Sequence, residues 1–252
     1  MKKEFLISFL YDYFNIGNIS DVSQNGLQVD SSKSEIRKIA FAVDANLETI
    51  CAAASQKADM LFVHHGMFWS HSLTITGNHY NRIAALIRND IALFGVHLPL
   101  DLHKEVGNNS VMAKKLGLED ITEFGMYKGI NIGWMGTHRE GLEINECARL
   151  LGFNAENDMK AYEFLKKKNR KIAIVSGGAA DDVSQAASAG ADLFISGEHS
   201  HTAYSTAKEN GVNMLLGGHY KSEVFGVQAT SEMLKNRFPE LECVFLDLPS
   251  GM

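Results

Sequence analysis

The chain contains RKIAFAVDANLETICAAASQKADMLFVHHG at residues 37–66 and RKIAIVSGGAADDVSQAASAGADLFISGEH at residues 170–199. The two stretches align without a gap, and nine of the 30 aligned positions are identical. Composition alone would give roughly two identities in a comparison of this length. The sequence therefore predicts that the chain arose by an internal duplication.

A second pair of segments supports the duplication. LFGVHLPLD (93–101) resembles LLGGHYKSE (215–223), so that each copy has a histidine and, four residues later, a carboxylate. The alignment pairs the following residues: His97 with His219, and Asp101 with Glu223. We expect these pairs to occupy equivalent positions in the two halves.

Apolar runs alternate with helix-like segments along the chain, and this alternation predicts the fold class. Strands that alternate with helices form largely parallel sheets that are covered by helices on both faces. The predicted fold is therefore α/β, with three α/β/α layers and two similar domains from the duplication. We expect these domains at residues 1–125 and 126–252, and residues 224–252 are a candidate to complete the first.

Composition and charge exclude several classes of function. The formal net charge is −6 and no Lys/Arg block is interleaved with aromatic residues, which argues against a nucleic-acid partner. The apolar runs are all shorter than the ~20 residues that cross a membrane. MKKEFLISFLYDYF at the N-terminus is typical of an amphipathic helix rather than of a signal peptide. Cys51, Cys147 and Cys243 are predicted to be buried thiols, which favours a reducing cytoplasm.

Histidines and carboxylates follow the predicted strands. His64 and His65 end a buried strand just before Gly66, where a turn of the backbone lets both rings face one cavity. If residue 219 opens the last helix, His219 and Glu223 lie one turn apart on one face. Imidazole nitrogens and carboxylate oxygens at such strand ends suit divalent ions, and Zn, Fe, Mn and Co fit about equally well.

The two carboxylates have different expected geometries. Pro99 is expected to prevent a regular helix through residues 97–101, so that an extended turn would place Asp101. Glu223 is the longer side chain and is the candidate to bridge two neighbouring ions.

Other polar segments leave alternatives open. His97 is either a partner that orients a ligand or a proton shuttle, and Glu198 is predicted to face the same cavity. The Ser176-Gly177-Gly178 turn can seat a phosphate or can be purely structural. The first copy has eleven extra residues, MFWSHSLTITG (67–77), which form either a wall of a substrate pocket or a surface loop. Phe68 and Trp69 favour the pocket wall.

Five motifs together resemble one known family. They are NGLQV (25–29), FVHHGMFW (62–69), GVHLPLD (95–101) with the following GNN (107–109), SGEHSH (196–201) and GGHYKSE (217–223). They closely resemble those of the YbgI-like proteins, relatives of the Nif-three proteins that are often labelled GTP cyclohydrolase I type 2 homologues. The resemblance implies a toroidal homo-hexamer of two-domain α/β chains. It also implies two metal ions bound by His64, His65, Asp101, His219 and Glu223.

The resemblance and the residues lead to two hypotheses about function. The first is a hydrolase that depends on two divalent metal ions and acts on a small, nucleotide-like substrate, with His97 and Glu198 as candidate catalytic residues. The second is a non-catalytic, metal-binding ring that serves as a scaffold or regulator. Neither hypothesis involves a membrane.

Overall fold

The computed structural model describes residues 1–154 and 159–251, and it confirms the predicted α/β class. The chain divides into two compact units, residues 1–100 with 226–248 and residues 101–225 with 249–252. The first unit therefore ends at Leu100 rather than near residue 125. The reason is that the strand at Glu119–Tyr127 pairs with the strand at Ile130–Leu142 in the second unit.

The first unit is built on a five-stranded sheet. Its strands are β1 (Gly26–Val29), β2 (Lys38–Asp44), β3 (Met60–His65), β4 (Ala92–Gly95) and β11 (Glu242–Phe245), and its helices are α1 (Lys3–Tyr13), α2 (Leu47–Ser55) and α3 (Gly77–Arg88). The strand order is β1-β4-β3-β2-β11. All neighbours are parallel except β1 and β4. Because β11 pairs with β2, residues near the C-terminus extend the sheet of the first unit.

Both faces of this sheet are covered, as the three-layer prediction requires. On one face Phe41, Phe62 and Phe94 pack in a row, and Phe14 at the end of α1 lies against Phe62. On the other face Leu61 and its neighbours pack against α2 and α3. Each fully buried side chain of this size contributes roughly 1.5–3 kcal/mol to folding. β3 is thereby fixed in the middle of the unit, and its C-terminal end carries His64 and His65.

The second unit has a six-stranded mixed sheet. Its strands are β5 (Glu119–Tyr127), β6 (Ile130–Leu142), β7 (Lys160–Tyr162), β8 (Asn169–Ile174), β9 (Leu193–Ser196) and β10 (Asn213–Leu216). Its helices are α5 (Asn108–Lys115), α6 (Ile144–Leu151), α7 (Val183–Ser188) and α8 (His201–Asn210), with a 3-10 turn at Ala180–Asp182. The strand order is β5-β6-β8-β9-β10-β7, and β8, β9 and β10 are parallel. The sequence did not predict the long β5–β6 hairpin.

Two more helices contain the residues at which the chain passes from one unit to the other. α4 (Leu98–Asp101) ends on the first residue of the second unit, and α9 (His219–Arg237) begins in the second unit and continues into residues grouped with the first. The helical form of α4 contradicts the expected extended turn. Pro99 is the second residue of this short helix, where the backbone N–H has no acceptor within the helix, so that its absence costs little.

The parallel strands of the two units pair in corresponding registers, which supports the duplication. Ile39 of β2 lies opposite Met60 of β3, and the aligned residues Ile172 and Leu193 are opposite each other in β8 and β9.

Each unit also anchors these strands with an aspartate. Asp59 Oδ2 accepts hydrogen bonds from the backbone N–H groups of Arg37 and Lys38. The aligned Asp192 Oδ2 accepts from the equivalent pair, Arg170 and Lys171.

The strand that follows is shifted by one residue from the sequence alignment. The N–H of Val96 donates to the carbonyl of Val63, whereas the N–H of Gly217 donates to that of Ser196. Because residues 63 and 196 are aligned, Val96 corresponds to Gly217 and His97 to Gly218. The predicted pairings of His97 with His219 and of Asp101 with Glu223 are therefore both wrong by one position. The sequence alignment matched identical residues, but the backbone hydrogen bonds between the strands follow a register that is shifted by one residue.

Two further expectations concern solvent and membrane. Cys147 is buried as predicted, but Cys243 is only partly buried and Cys51 is exposed on α2. Among residues 1–154 and 159–251, no helix is both long enough and apolar enough to cross a lipid bilayer.

Candidate metal centre

Three histidines of the first unit converge at the ends of two neighbouring strands. His64 and His65 close β3, and His97 lies two residues beyond β4. The ring centroids are 4.6 Å apart for His64 and His65, 5.2 Å for His64 and His97, and 5.8 Å for His65 and His97. Each ring offers one nitrogen, and these nitrogens lie within 4.8 Å of one another. This set is called the histidine cluster below.

Each imidazole of the histidine cluster is oriented through its Nδ1 atom. Nδ1 of His64 lies 2.9 Å from the Val96 carbonyl oxygen, and Nδ1 of His65 lies 2.8 Å from an Asp44 carboxylate oxygen. Because carbonyl and carboxylate oxygens only accept, both Nδ1 atoms donate, and a neutral ring then carries its lone pair on Nε2. Fixing one nitrogen in this way is how proteins orient histidine ligands of metals.

His97 is held in the same way by Asp21. The two carboxylate oxygens of Asp21 lie 3.0 and 3.1 Å from His97 Nδ1, and the Asp21 side chain is only 1% exposed. Burial alone would raise the pKa of Asp21, but the hydrogen bond to His97 and its charge, with a further bond from Asn25, lower that pKa to about 2. Asp21 and Asp44 were missed by sequence reasoning. Asp44 ends a predicted strand and could have been found, whereas Asp21 lies in a polar turn without a recognisable signal.

The second unit presents a histidine and a carboxylate on the first turn of α9. The helix opens at His219, which is the condition under which the sequence places His219 and Glu223 one turn apart, and Nε2 of His219 lies 3.2 Å from Oε2 of Glu223. Nδ1 of His219 lies 2.6 Å from Oε1 of Glu198. Burial opposes the charged form of His219, but Glu223 and Glu198 outweigh burial and raise its pKa to about 9. The negative potential that stabilises a proton here also favours a metal cation.

Asp101 lies in a buried polar network of the second unit. Its Oδ1 accepts hydrogen bonds from Asn108 Nδ2 at 2.9 Å and from Ser176 Oγ at 3.0 Å. Asp101 and Glu223 are 6% and 3% exposed, and they offer carboxylate oxygens within 4.8 Å of one another. Two buried carboxylates at this separation repel unless a cation compensates them, and so the donor set fits a divalent metal.

The glycine-rich turn after β8 has a structural role. Gly177 adopts a left-handed backbone with φ of +68°, and a Cβ atom at this position would overlap Oε1 of Glu223. The N–H of Gly177 donates to Ser222 Oγ, and the N–H of Ser176 donates to Asn109 Oδ1. These two amides are therefore committed to protein acceptors, which favours the structural interpretation over a phosphate seat. The turn makes room for Glu223.

The extra loop of the first copy begins beside the histidine cluster. The ring of Trp69 lies edge-on to His97 at 5.1 Å and is 6.2 Å from His65. The start of the loop is fixed, because the N–H of Met67 donates to Gln28 Oε1 at 2.7 Å. Residues 70–78 are exposed. Trp69 therefore lines the cluster, Met67 and Phe68 pack on the hydrophobic core, and the remainder of the loop lies at the surface.

Comparison with known proteins identifies relatives of this chain over almost its whole length. A model of the family described as Duf34/NIF3 (NGG1p interacting factor 3) matches residues 1–250. A curated relative from Archaeoglobus fulgidus, named GTP cyclohydrolase 1 type 2 homolog, is 43% identical over 247 residues, which are 98% of each chain.

Two solved structures are similar over their full length. TTHA1606 from Thermus thermophilus is 35% identical with a TM-score of 0.88, and 100% of each chain is covered. The protein ybgI, described as of unknown function, is 33% identical with the same TM-score and the same coverage. The resemblance predicted from the five motifs is confirmed.

Proposed function

Because the chain belongs to the Duf34/NIF3 family, we propose that it is a hydrolase that depends on two divalent metal ions. The proposed ligands are His64, His65, Asp101, His219 and Glu223. The observation that carries the proposal is the orientation of the histidines: Nδ1 of His64 and of His65 lies against a protein acceptor, so that Nε2 of the neutral ring is the nitrogen for a metal. At His219, Nδ1 lies against Glu198 and Nε2 against Glu223 Oε2, so that a metal bound there would replace the proton held between Nε2 and that carboxylate.

The chemistry proposed for the site is activation of water. When bound, two divalent ions supply Lewis acidity that acidifies water and polarises a substrate. The chain's residues orient the ligands. Glu198 acts on His219 through their 2.6 Å hydrogen bond, so we assign to it positioning of that ligand rather than independent acid–base catalysis. Asp44 does the same for His65.

The proposed substrate is a small molecule with a planar, nucleotide-like ring. The name of the Archaeoglobus relative refers to GTP cyclohydrolase, and the Trp69 ring beside the histidine cluster offers a surface on which such a ring can stack. We propose that the protein works as a homo-hexameric ring, as the family resemblance implies. The scattered cysteines favour the cytoplasm as its compartment, and the net charge of −6 favours a function without a nucleic-acid partner.

Metal analysis combined with a substrate panel tests the proposed function. We expect the full-length protein to bind two divalent ions and to hydrolyse at least one nucleotide or ester with saturation kinetics. The chelated protein should lose the activity and regain it when metal is added. A protein that holds two ions and is inert toward the whole panel would favour the scaffold hypothesis.

A further inference from the structure

We propose that Gln28 is a positioning residue whose side-chain amide holds Trp69 in place beside the histidine cluster. Gln28 belongs to the NGLQV motif (25–29), to which the proposed function assigns no role. The inference rests on the proposed function, because it makes Gln28 a determinant of specificity for substrates with a planar ring. It concerns how one wall of the site is built and leaves the proposed metal ligands unchanged.

The Gln28 side chain lies across the ends of two neighbouring strands. A Cβ atom at Gly66, directly after β3, would overlap the Gln28 amide, and a Cβ atom at Gly95, the last residue of β4, would lie 2.9 Å from its Nε2. Neither glycine has a left-handed backbone, so conformational freedom does not account for them. The two glycines therefore leave the space that the amide occupies.

Both ends of the Gln28 amide are bound to backbone groups. Oε1 accepts a hydrogen bond from the N–H of Met67, and Nε2 donates to the Gln24 carbonyl, each at 2.7 Å. The N–H of Gln24 in turn donates to the Phe68 carbonyl at 3.0 Å. The amide thus joins its own segment to the two residues before Trp69, as a peptide group would join two strands of a sheet.

The pairing continues to Trp69 itself. Trp69 forms an antiparallel bridge with Ser23, which directly precedes Gln24. The backbone is therefore bound at three successive residues, and the last of them carries the indole. A side chain on a backbone held in this way is already ordered before a ligand arrives, so that less freedom is lost on binding.

The same segment also holds His97, the ring against which Trp69 lies. The N–H of His97 donates to Asn25 Oδ1 at 2.7 Å, and its Nδ1 donates to the Asp21 carboxylate at 3.0 Å. Asn25 Nδ2 donates to Asp21 at 2.8 Å. One segment therefore sets both rings, which meet edge-on with centroids 5.1 Å apart. Without the Gln28 amide, Trp69 should gain motion while His97 stays held by its own partners.

Fluorescence anisotropy tests the positioning without metal or substrate. The chain has two tryptophans, and Trp134→Phe leaves Trp69 as the single emitter. In this background Gln28→Met removes both hydrogen bonds of the amide, and the anisotropy of Trp69 should decay faster through local motion. Gln28→Glu keeps the acceptor for the Met67 N–H and loses the donor, so it should give an intermediate decay. Gln24→Met is the matched control, because Gln24 is exposed and its hydrogen bonds described here are made by its backbone.

Binding of two probes tests the link to specificity in the metal-loaded protein. GTP is the probe with a planar ring, and inorganic triphosphate is the probe without one. By calorimetry, Gln28→Met should weaken GTP binding by roughly two- to tenfold, the range expected for one aromatic contact, and leave triphosphate binding unchanged. In a Trp69→Ala protein the same substitution should change GTP binding by less than about twofold, because the two residues act as one unit. Metal content should equal that of the wild type.

Three results would overturn the inference: unchanged anisotropy in Gln28→Met, an equal loss of binding for GTP and triphosphate, or full additivity with Trp69→Ala. If Gln28→Met fails to fold, the decay in Gln28→Glu decides, and a decay equal to that of the Trp134→Phe parent overturns the inference.

Failure of the inference and failure of the proposed function are distinguishable. If the wild-type chain binds metal and GTP while Gln28→Met behaves like Gln24→Met, the inference fails and the proposed function stands. If the wild-type chain binds no GTP and hydrolyses no nucleotide, the proposed substrate fails, and the anisotropy alone decides whether Gln28 positions Trp69.

Discussion

Two aligned strands end in different residues. They are β3 in the first unit and β9 in the second. β3 ends in His64 and His65, whereas the aligned positions after β9 are Gly197 and Glu198. A Cβ atom at Gly197 would contact the backbone of His219 and Ser222 Oγ at less than 3 Å. Glycine therefore lets the start of α9 approach the strand end.

The strand before each of these shows the same contrast. β2 ends in Asp44, which orients His65, and the aligned Gly177 makes room for Glu223. The first unit thus has its candidate ligands at its strand ends, whereas the second has glycines at those positions and has its candidate ligands on a helix. The shared frame, with its anchoring aspartates Asp59 and Asp192, is unchanged. The two units therefore share these anchoring aspartates, while one strand end is rich in imidazole nitrogens and the other leaves room for carboxylates.

Removing the carboxylate of Glu223 should produce the largest effect. If this side chain bridges, Glu223→Gln removes an oxygen from both ions, and the purified protein should retain almost no metal. His64→Ala should lose mainly one ion. Emission spectrometry measures the stoichiometry, and Glu232→Gln, exposed on the same helix, is the control. Two retained ions in purified Glu223→Gln would remove Glu223 from the bridge.

The Trp69 ring beside the histidine cluster belongs to the insertion of the first copy and should affect turnover rather than metal content. Trp69→Ala should retain both ions, because the acceptors that orient the histidines do not involve it. It should lower kcat/KM by about tenfold or more, which corresponds to about 1.4 kcal/mol of lost transition-state stabilisation. Replacing the exposed residues 70–75 with a short Gly-Ser linker is the comparison and should have a smaller effect. Equal turnover in both variants and the wild type would make the whole insertion a surface loop.

The sequence predicted the parts of the site that depend on local pattern. Apolar runs located β3 and β4, and the spacing of His219 and Glu223 predicted one helical turn. Contacts between distant segments were not predictable in this way: Asp21 reaches His97 across 76 residues, and no periodicity links them. The one-residue shift of His97 against His219 has the same origin, because strand register depends on backbone pairing that identities do not report.

Gly177 tests the space that the second unit needs for its carboxylate. Gly177→Ala places a methyl group against Glu223 and strains a left-handed backbone, and should destabilise the protein by about 1–3 kcal/mol. Gly152 is a matched control, since it has φ of +69° and nothing within 4 Å of an added Cβ. The strain should be common to both variants, so the difference in their free energies of unfolding measures the contact with Glu223. Gly177→Ala should also weaken metal binding, and Gly152→Ala should not. Equal losses of stability with normal metal binding would show that the turn does not serve Glu223.

The smallest effect should come from removing the anchoring aspartates Asp59 and Asp192, and it should be the same in both units. Burial raises the pKa of Asp59 and of Asp192, but ion pairs with Lys33 and Lys167 and the paired backbone N–H donors lower each pKa below its usual 3.8. A carboxyl with a lowered pKa in the folded state stabilises the protein above pH 3.8, and this contribution is lost as the pH falls through the lowered value. Asp59→Asn and Asp192→Asn should each cost about 1 kcal/mol at neutral pH.

The two variants should approach the wild type in strongly acid solution, where the wild-type carboxyls are protonated too. Denaturant unfolding at several pH values measures this convergence, with the exposed Glu209→Gln as control. A clear difference between the two variants would mean that only one of the aligned aspartates anchors its strands. The two units would then differ in the hydrogen bonds that anchor their parallel strands, and not only in the residues at the ends of those strands.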